Sequence, residues 1–207
     1  AAYSRIKVLV LETPVFSSQA LNQLLGCEVI FKGEHLQRGG AFKARGAINM
    51  VYAQPLSELA SGVCTHSSGN HGAALARAAR ARGVAAHIVM PKNASPAKRR
   101  LVGHFGGHLI ECDNSLEARE KALRALAART GALYVPPFDA PLIIAGQGTA
   151  LLEFKRQTPE LDVVVVPVGG GGLLAGSCLV QDRLMVYGAE PEGASDAAKS
   201  LASGGRV

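Results

Sequence analysis

The feature that most restricts the fold of this chain is an alternation of short apolar runs and amphipathic segments between residues 62 and 135. The apolar runs predict strands at 62–66, 85–90, 108–111 and 132–135. The helical spacing of apolar residues predicts helices at 70–82, 96–104 and 115–129. Strands that alternate with helices form parallel sheets with crossover helices, so the sequence predicts an α/β protein.

The flanking segments extend this pattern. They predict helices at 18–26, 42–52 and 146–156 and strands at 28–33, 163–166 and 185–187. The run Val163–Val166 is apolar on both faces, which is typical of a strand in the middle of a parallel sheet. Pro136-Pro137 indicates a crossing between two domains.

The composition argues against several classes of protein. The chain has 207 residues, enough for a buried core, and its net charge of +6 comes mostly from scattered basic residues. It has no Trp, and its basic residues cluster only at Arg77-Arg80-Arg82 and Lys98-Arg99-Arg100. We therefore expect no nucleic-acid partner and interpret the charge as a source of solubility and attraction of anions. No apolar run could span a membrane and no signal-peptide pattern is present, which predicts a cytoplasmic protein without a membrane partner.

One lysine lies in the first turn of the helix predicted at 42–52. A short strand and the double glycine Gly39-Gly40 precede Lys43, which places it near the positive end of the helix dipole. This position and any burial favour the neutral amine, a nucleophile that forms a Schiff base with an aldehyde. Taken alone, Lys43 is better explained as a solvated surface lysine. Two later turns change that interpretation.

Both of these turns lie between a strand and a helix and suit a bound anion. The first, His66–Gly72, combines a helix N-terminus with Ser and Asn donors suited to a carboxylate. The second, Gly169–Gly172, can aim several backbone N–H groups at a phosphate. The simpler interpretations are a polar helix cap for the first turn and a flexible glycine turn for the second.

A dinucleotide site is an alternative for the second turn. Gly170, Gly172 and Ala175 fit the loose GxGxxA frame, and Glu190 lies near the distance of a ribose-binding acid. That frame leaves Lys43 and the first turn without a role, and a P-loop is excluded because no Gly-Lys-Ser/Thr is present. A nucleophilic lysine, a carboxylate cradle and a phosphate cup together match pyridoxal phosphate and an amino acid.

The same segments resemble the fold type II pyridoxal-phosphate enzymes, specifically the serine racemase and threonine/serine dehydratase family. FKGEHLQRGGAFKARGA at 31–47 resembles the family's FKxExxQxxGSFKxRGA, SSGNHG its substrate loop and GGGGLLAG its phosphate loop. AGQGT at 145–149 and YGAEP at 187–191 also match. The resemblance implies two parallel-sheet, three-layer domains of the tryptophan synthase β kind. The large domain would comprise 1–61 and 140–207, and the small domain 62–139.

The resemblance also implies roles for individual residues. Lys43 would hold pyridoxal 5'-phosphate, and Ser68 would exchange a proton on the opposite face of the substrate. The implied cofactor-binding residues are Phe42, Lys43, Asn70, Gly169, Gly170, Gly171, Gly172 and Leu173. The implied substrate-binding residues are Ser67, Ser68, Gly69, Asn70, His71 and Arg119. Glu190, Ala194 and Asp196 match a site for a divalent cation, Mg or Ca.

These matches predict a homodimeric serine racemase that also converts serine or threonine to a 2-oxo acid and ammonia. An L-threonine or threo-3-hydroxyaspartate ammonia-lyase is the alternative within the family. A truncated fragment without catalysis is the alternative from another class. The feature in favour of a fragment is that the sequence stops at Val207, before the family's last strands and helices. A separate departure from the family pattern is Ala41, where the family usually has Ser.

Overall fold

The computed structural model describes residues 1–207, which form nine α-helices and eight β-strands. The helices α1–α9 are Ala2–Ile6, Gln19–Leu25, Lys43–Ala53, Asn70–Arg82, Pro96–His104, Leu116–Thr130, Pro141–Gln157, Gly172–Cys178 and Asp196–Ser203. The strands β1–β8 are Val15–Ser17, Ile30–Lys32, Val63–His66, Ala86–Pro91, His108–Cys112, Leu133–Tyr134, Val163–Pro167 and Met185–Ala189. Every predicted helix and strand is present. None of the helices has both the length and the apolar content needed to cross a membrane.

The alternating segment forms a four-stranded parallel sheet in the order β5-β4-β3-β6. Successive side chains of β4 point to opposite faces. Ile88 packs in the main core with α3 and α4, whereas Val89 packs against Leu123 and Leu126 of α6. Helices therefore cover both faces of the sheet, which accounts for its almost uninterrupted apolar strands.

The strands β7 and β8 form a separate two-stranded parallel sheet. Val164 and Val166 pack against α7, but Val165 on the other face is 65% exposed. The prediction that this strand lies in the middle of a sheet is wrong for this chain, because β7 pairs with β8 alone. An apolar groove of about 500 Å³ is lined by residues of both β2 and β7.

A short antiparallel ladder joins β1 to β2, with Phe16 opposite Phe31. The sequence did not predict β1. Its three residues, Val15, Phe16 and Ser17, show no alternation of apolar and polar side chains.

Helix α7 begins at Pro141 rather than at the predicted residue 146. Proline is favoured at the first helical position because its fixed φ suits the helix and its missing N–H is not needed there. Gly146 lies inside the helix because α7 contacts α3 closely, and a Cβ on Gly146 would lie 2.6 Å from the Cα of Gly46. This contact fixes the position of α3, and therefore of Lys43, against α7.

Candidate active site

Lys43 is the first residue of α3, and its ammonium group lies in a half-buried position. Its Nζ donates a hydrogen bond to the carbonyl oxygen of Pro137 at 2.6 Å and lies 5.2 Å from the centre of the Phe42 ring. No carboxylate forms an ion pair with it. Burial therefore lowers the pKa of Lys43 from 10.5 to about 8. Near neutral pH, a useful fraction of the side chain is the uncharged, nucleophilic amine.

The glycine turn connects β7 to α8, and two of its positions require glycine, one because of its backbone conformation and one because of a close neighbour. Gly171 caps α8 with a φ of 77°, in the left-handed region. A Cβ on Gly170 would lie 2.2 Å from the ring of Phe138, so no side chain fits there. The N–H groups of Gly169, Gly170 and Gly171 have no backbone acceptor. The turn therefore has free donors, as an anion site requires.

Lys43 and this turn line the same cavity of about 280 Å³. Its remaining lining residues are Phe42, Pro167, Val168 and Leu173. A cavity with an amine of lowered pKa and a cradle of unpaired N–H groups fits a phosphorylated aldehyde. The structure thus brings together two groups that lie far apart in the sequence and that sequence reasoning assigned to one ligand.

The Ser67–His71 loop lies at the carboxyl end of β3, at the start of α4. The Oγ of Ser67 accepts hydrogen bonds from the N–H groups of Gly69 at 3.2 Å and Gly72 at 3.1 Å, so this side chain caps the helix. Ser68 is exposed, and a Cβ on Gly69 would meet nothing within 4 Å. The loop is therefore open on the side away from the helix.

His71 has a different environment from its neighbours in the loop. It is 3% exposed, and its ring Nε2 lies 3.1 Å from the carbonyl oxygen of Val135. Because a carbonyl only accepts, Nε2 carries the hydrogen. Burial, above all, lowers the pKa of His71 to about 4 and keeps the ring neutral. His71 could contact a substrate carboxylate through its backbone N–H, since its ring Nε2 is engaged with the carbonyl of Val135, the residue that follows β6.

Comparison with known proteins assigns the chain to a family. The sequence matches the family described as pyridoxal-phosphate dependent enzyme over residues 6–207. The chain belongs to this family. A serine racemase of Oryza sativa subsp. indica is 44% identical, over 98% of this chain and 61% of its own length. A beta-hydroxyaspartate dehydratase of Paracoccus denitrificans is 44% identical, over 99% of this chain and 66% of its own length.

A solved structure of maize serine racemase superimposes with a TM-score of 0.98 at 43% identity, over 100% of this chain and 64% of that chain. The predicted pyridoxal-phosphate family and α/β fold class are therefore confirmed, and the dinucleotide interpretation of the glycine turn is wrong. The chain spans between 61% and 66% of the length of these three relatives.

The remaining predicted residues of this pyridoxal-phosphate family member lie in two places. Asn70 begins α4, and its Oδ1 accepts a hydrogen bond from Lys98. Arg119 on α6 donates to Oδ1 of Asn114 at 3.2 Å and lies near His66, whose pKa is lowered mainly by burial and also by the Arg119 charge. Both therefore lie beside the loop that follows β3, although their contacts in the chain are with other side chains.

The predicted cation ligands lie elsewhere, after β8. The carboxylate of Glu190 accepts hydrogen bonds from the N–H groups of Ala197 at 3.1 Å and Ala198 at 2.9 Å, and so caps α9. Asp196 is the first residue of that helix. No group of three or more His, Cys, Asp or Glu side chains converges anywhere in the chain.

Sequence reasoning missed three groups of residues around the site. Pro137 and Phe138 contact Lys43 and the glycine turn from the segment between β6 and α7. Lys98 was interpreted only as part of a basic run. The third group is a buried ion network formed by Lys32, Glu34, Arg45 and Glu153, and its Arg45 lies in α3 with Lys43. Lys32, Glu34 and Arg45 lie in the matched segment 31–47. The presence of three charged residues in a family motif was therefore the signal that could have revealed the network.

Proposed function

We propose that this chain carries the lysine and phosphate-binding parts of a pyridoxal-phosphate-dependent serine racemase that also acts as a serine/threonine dehydratase. One observation carries the proposal: Lys43, with a pKa of about 8, and the Gly169–Gly172 turn line a single cavity. The similarity to serine racemases at 44% and 43% identity supports the same substrate class, a small hydroxy-amino acid.

The residues that would hold the cofactor are Phe42, Lys43, Asn70, Gly169, Gly170, Gly171, Gly172 and Leu173. The unpaired N–H groups of the glycine turn are suited to its phosphate, and the dipole of α8 adds to their effect. When bound, the cofactor supplies a ring that takes up the electron pair left after a proton leaves the substrate Cα.

The chain's own groups would bind the substrate and move its protons. Ser67, Gly69, Asn70 and His71 would hold the carboxylate, chiefly through backbone N–H groups, because the side chains of Ser67 and His71 are engaged elsewhere. The neutral amine of Lys43 would accept the Cα proton. Loss of the β-hydroxyl then leads to a 2-oxo acid and ammonia. Return of a proton from Ser68, on the opposite face, leads to the D-amino acid instead.

The exposed hydroxyl of Ser68 therefore separates the two reactions. We expect Ser68→Ala to lose most racemisation and to keep elimination, which a chiral assay for D-serine and a pyruvate assay measure in parallel. Equal loss of both activities would indicate that Ser68 only shapes the loop. Loss of neither would remove it from the mechanism.

A threo-3-hydroxyaspartate ammonia-lyase is the second candidate, because the Paracoccus denitrificans dehydratase is as similar as the rice racemase. Measuring kcat/KM for L-serine, L-threonine and threo-3-hydroxyaspartate side by side tests the choice. A preference for L-serine with D-serine formation supports the racemase. A strong preference for hydroxyaspartate or for threonine supports an ammonia-lyase. The absence of a visible absorbance band with pyridoxal phosphate would support a non-catalytic fragment.

We also propose a divalent cation, Mg or Ca, at Glu190, the Ala194 carbonyl and Asp196, on the strength of the resemblance. Each carboxylate oxygen of Glu190 already accepts one N–H and has a lone pair left for a cation. A rise in melting temperature with Ca²⁺ that disappears in Asp196→Asn would support the site.

The homodimer and the cytoplasmic location remain predictions, and light scattering tests the first.

A further inference from the structure

Lys98 contacts a predicted cofactor-binding residue from a neighbouring helix. It lies in α5, and its ammonium group donates a hydrogen bond to Oδ1 of Asn70 at the start of α4. Both side chains are half-buried. Lys98 forms no ion pair, whereas the adjacent Arg99 pairs with Glu111 on β5. Its charge is therefore directed at a single amide oxygen.

This contact determines which end of the Asn70 amide faces away from α5. An ammonium group can only donate hydrogen bonds, so the amide must present Oδ1, and not Nδ2, to Lys98. The Nδ2 group is then left as the free end of the side chain, and no group in the chain accepts a hydrogen bond from it. A hydrogen bond from a cation to Oδ1 also polarises the amide and strengthens Nδ2 as a donor.

We propose that Lys98 is a positioning residue that holds the Asn70 amide with Nδ2 ready to donate to an acceptor oxygen of the bound cofactor. The inference rests on the proposed function, because it takes Asn70 as a cofactor-binding residue. Lys98 does not touch the cofactor in this account. Its effect passes through Asn70, and this dependence is what an experiment can test.

The first measurement is a titration of pyridoxal phosphate into the protein, followed by absorbance in the visible region. We expect Lys98→Met to weaken binding about tenfold and to shift the absorbance maximum, because Asn70 loses its fixed orientation. Lys92→Met is the matched control. Lys92 pairs with Asp113 at the surface, where both side chains are mostly exposed, so its loss should change neither affinity nor absorbance.

A double-mutant cycle tests whether Lys98 acts through Asn70. Asn70→Ala removes the donor itself, so we expect it to weaken binding at least as much as Lys98→Met. In the Asn70→Ala background, Lys98→Met should have no further effect on affinity or on the absorbance maximum. A purely structural role of Lys98 predicts the same loss in both backgrounds, and that result would overturn the inference. An unchanged titration in Lys98→Met would also overturn it.

Two conservative variants keep the test decisive if Lys98→Met does not fold. Lys98→Arg and Lys98→Gln each retain an N–H donor for Oδ1, so at least one should bind within about threefold of the wild type. A loss in both that equals the loss in Asn70→Ala would contradict the role. Failure of the proposed function looks different, because the wild-type protein would then give no visible band with pyridoxal phosphate.

Discussion

Lys43 and Arg45 lie within one turn of α3, yet only Arg45 has carboxylate partners. Arg45 is 0% exposed and pairs with Glu34 at 2.7 Å and Glu153 at 2.8 Å. Glu153 also accepts from Lys32 at 2.6 Å, so two cations balance two carboxylates. Lys43 has no carboxylate partner and contacts a single carbonyl oxygen.

Burial acts in the same direction on both cations, but the outcome is opposite. Around Arg45, burial alone would lower the pKa, and hydrogen bonds to Glu34 and Glu153 outweigh it and raise the pKa. Around Lys43, nothing opposes burial, and the pKa falls to about 8. Within α3, two carboxylate partners raise the pKa of Arg45, and their absence leaves the pKa of Lys43 lowered. One partner does not always suffice, since Lys32 pairs with Glu153 and burial still lowers its pKa.

The largest expected effect is on catalysis by Lys43→Ala. Removing the amine should abolish both racemisation and elimination, because no other group in the cavity can accept the Cα proton. The melting temperature should stay close to that of the wild type, since Lys43 forms no ion pair. Lys92→Ala, at an exposed site, is the control and should be fully active. Residual turnover in Lys43→Ala above background would remove Lys43 from its role.

The second prediction concerns the buried ion pairs of Arg45. Glu153→Ala leaves two buried cations without their shared partner and should lower the free energy of unfolding by about 3–5 kcal/mol. Chemical denaturation measures this value. Glu120→Ala is the matched control, because Glu120 pairs with Arg124 at the surface and its loss should cost less than about 1 kcal/mol. Equal effects at the two sites would mean that the buried network does not stabilise the fold.

A smaller effect is expected for Arg45→Lys. Lysine keeps the charge but cannot bridge Glu34 and Glu153 with a planar fork of donors, so we expect a loss of about 1–2 kcal/mol in the free energy of unfolding. Arg124→Lys at the surface should be neutral. A neutral result at position 45 would show that the charge of Arg45 matters and its geometry does not.

The smallest effect is the pH dependence of cofactor attachment. With a pKa of about 8, the neutral fraction of Lys43 rises from about one-tenth at pH 7 to about one-half at pH 8. The rate of attachment should therefore rise about fivefold between these values and less than twofold from pH 8 to 9. Stopped-flow absorbance measures the rate. A rate that keeps rising tenfold per pH unit up to pH 10 would indicate an ordinary, solvated lysine.

The same pKa has a consequence for stability, with a definite sign. The folded-state pKa of about 8 lies below the unfolded value of 10.5, so the unfolded chain binds more protons between these limits. The contribution of Lys43 to stability therefore increases as pH rises from 8 to 10.5. Lys43→Met should remove that increase, and a denaturation series over this pH range would detect it.

Local patterns made much of the fold predictable from the sequence. The predicted helices 70–82 and 96–104 match α4 and α5 residue for residue, because a glycine ends one and a proline begins the other. The turns between strands and helices indicated where anions could bind. The association of Lys43 with the glycine turn came from combining one lysine and two turns into one chemical requirement, and not from any one of the three.

Contacts between distant segments explain what the sequence did not reveal. The partners of Arg45 include Glu153, which lies 108 residues away, and nothing in the local pattern of α7 marks this glutamate as buried. Lys98 and Asn70 are 28 residues apart on two different helices, so no local pattern links them. The position of β7 was misjudged because an apolar strand indicates burial on both faces, whereas its pairing depends on which other strands are present.

The most direct test of the central claim is to find which side chain bonds to pyridoxal phosphate. The protein is incubated with pyridoxal phosphate, reduced with borohydride, digested and mapped by peptide mass spectrometry. We predict one stable phosphopyridoxyl group, on the peptide that contains Lys43. Attachment at another lysine, or a distribution over many exposed lysines, would contradict the account.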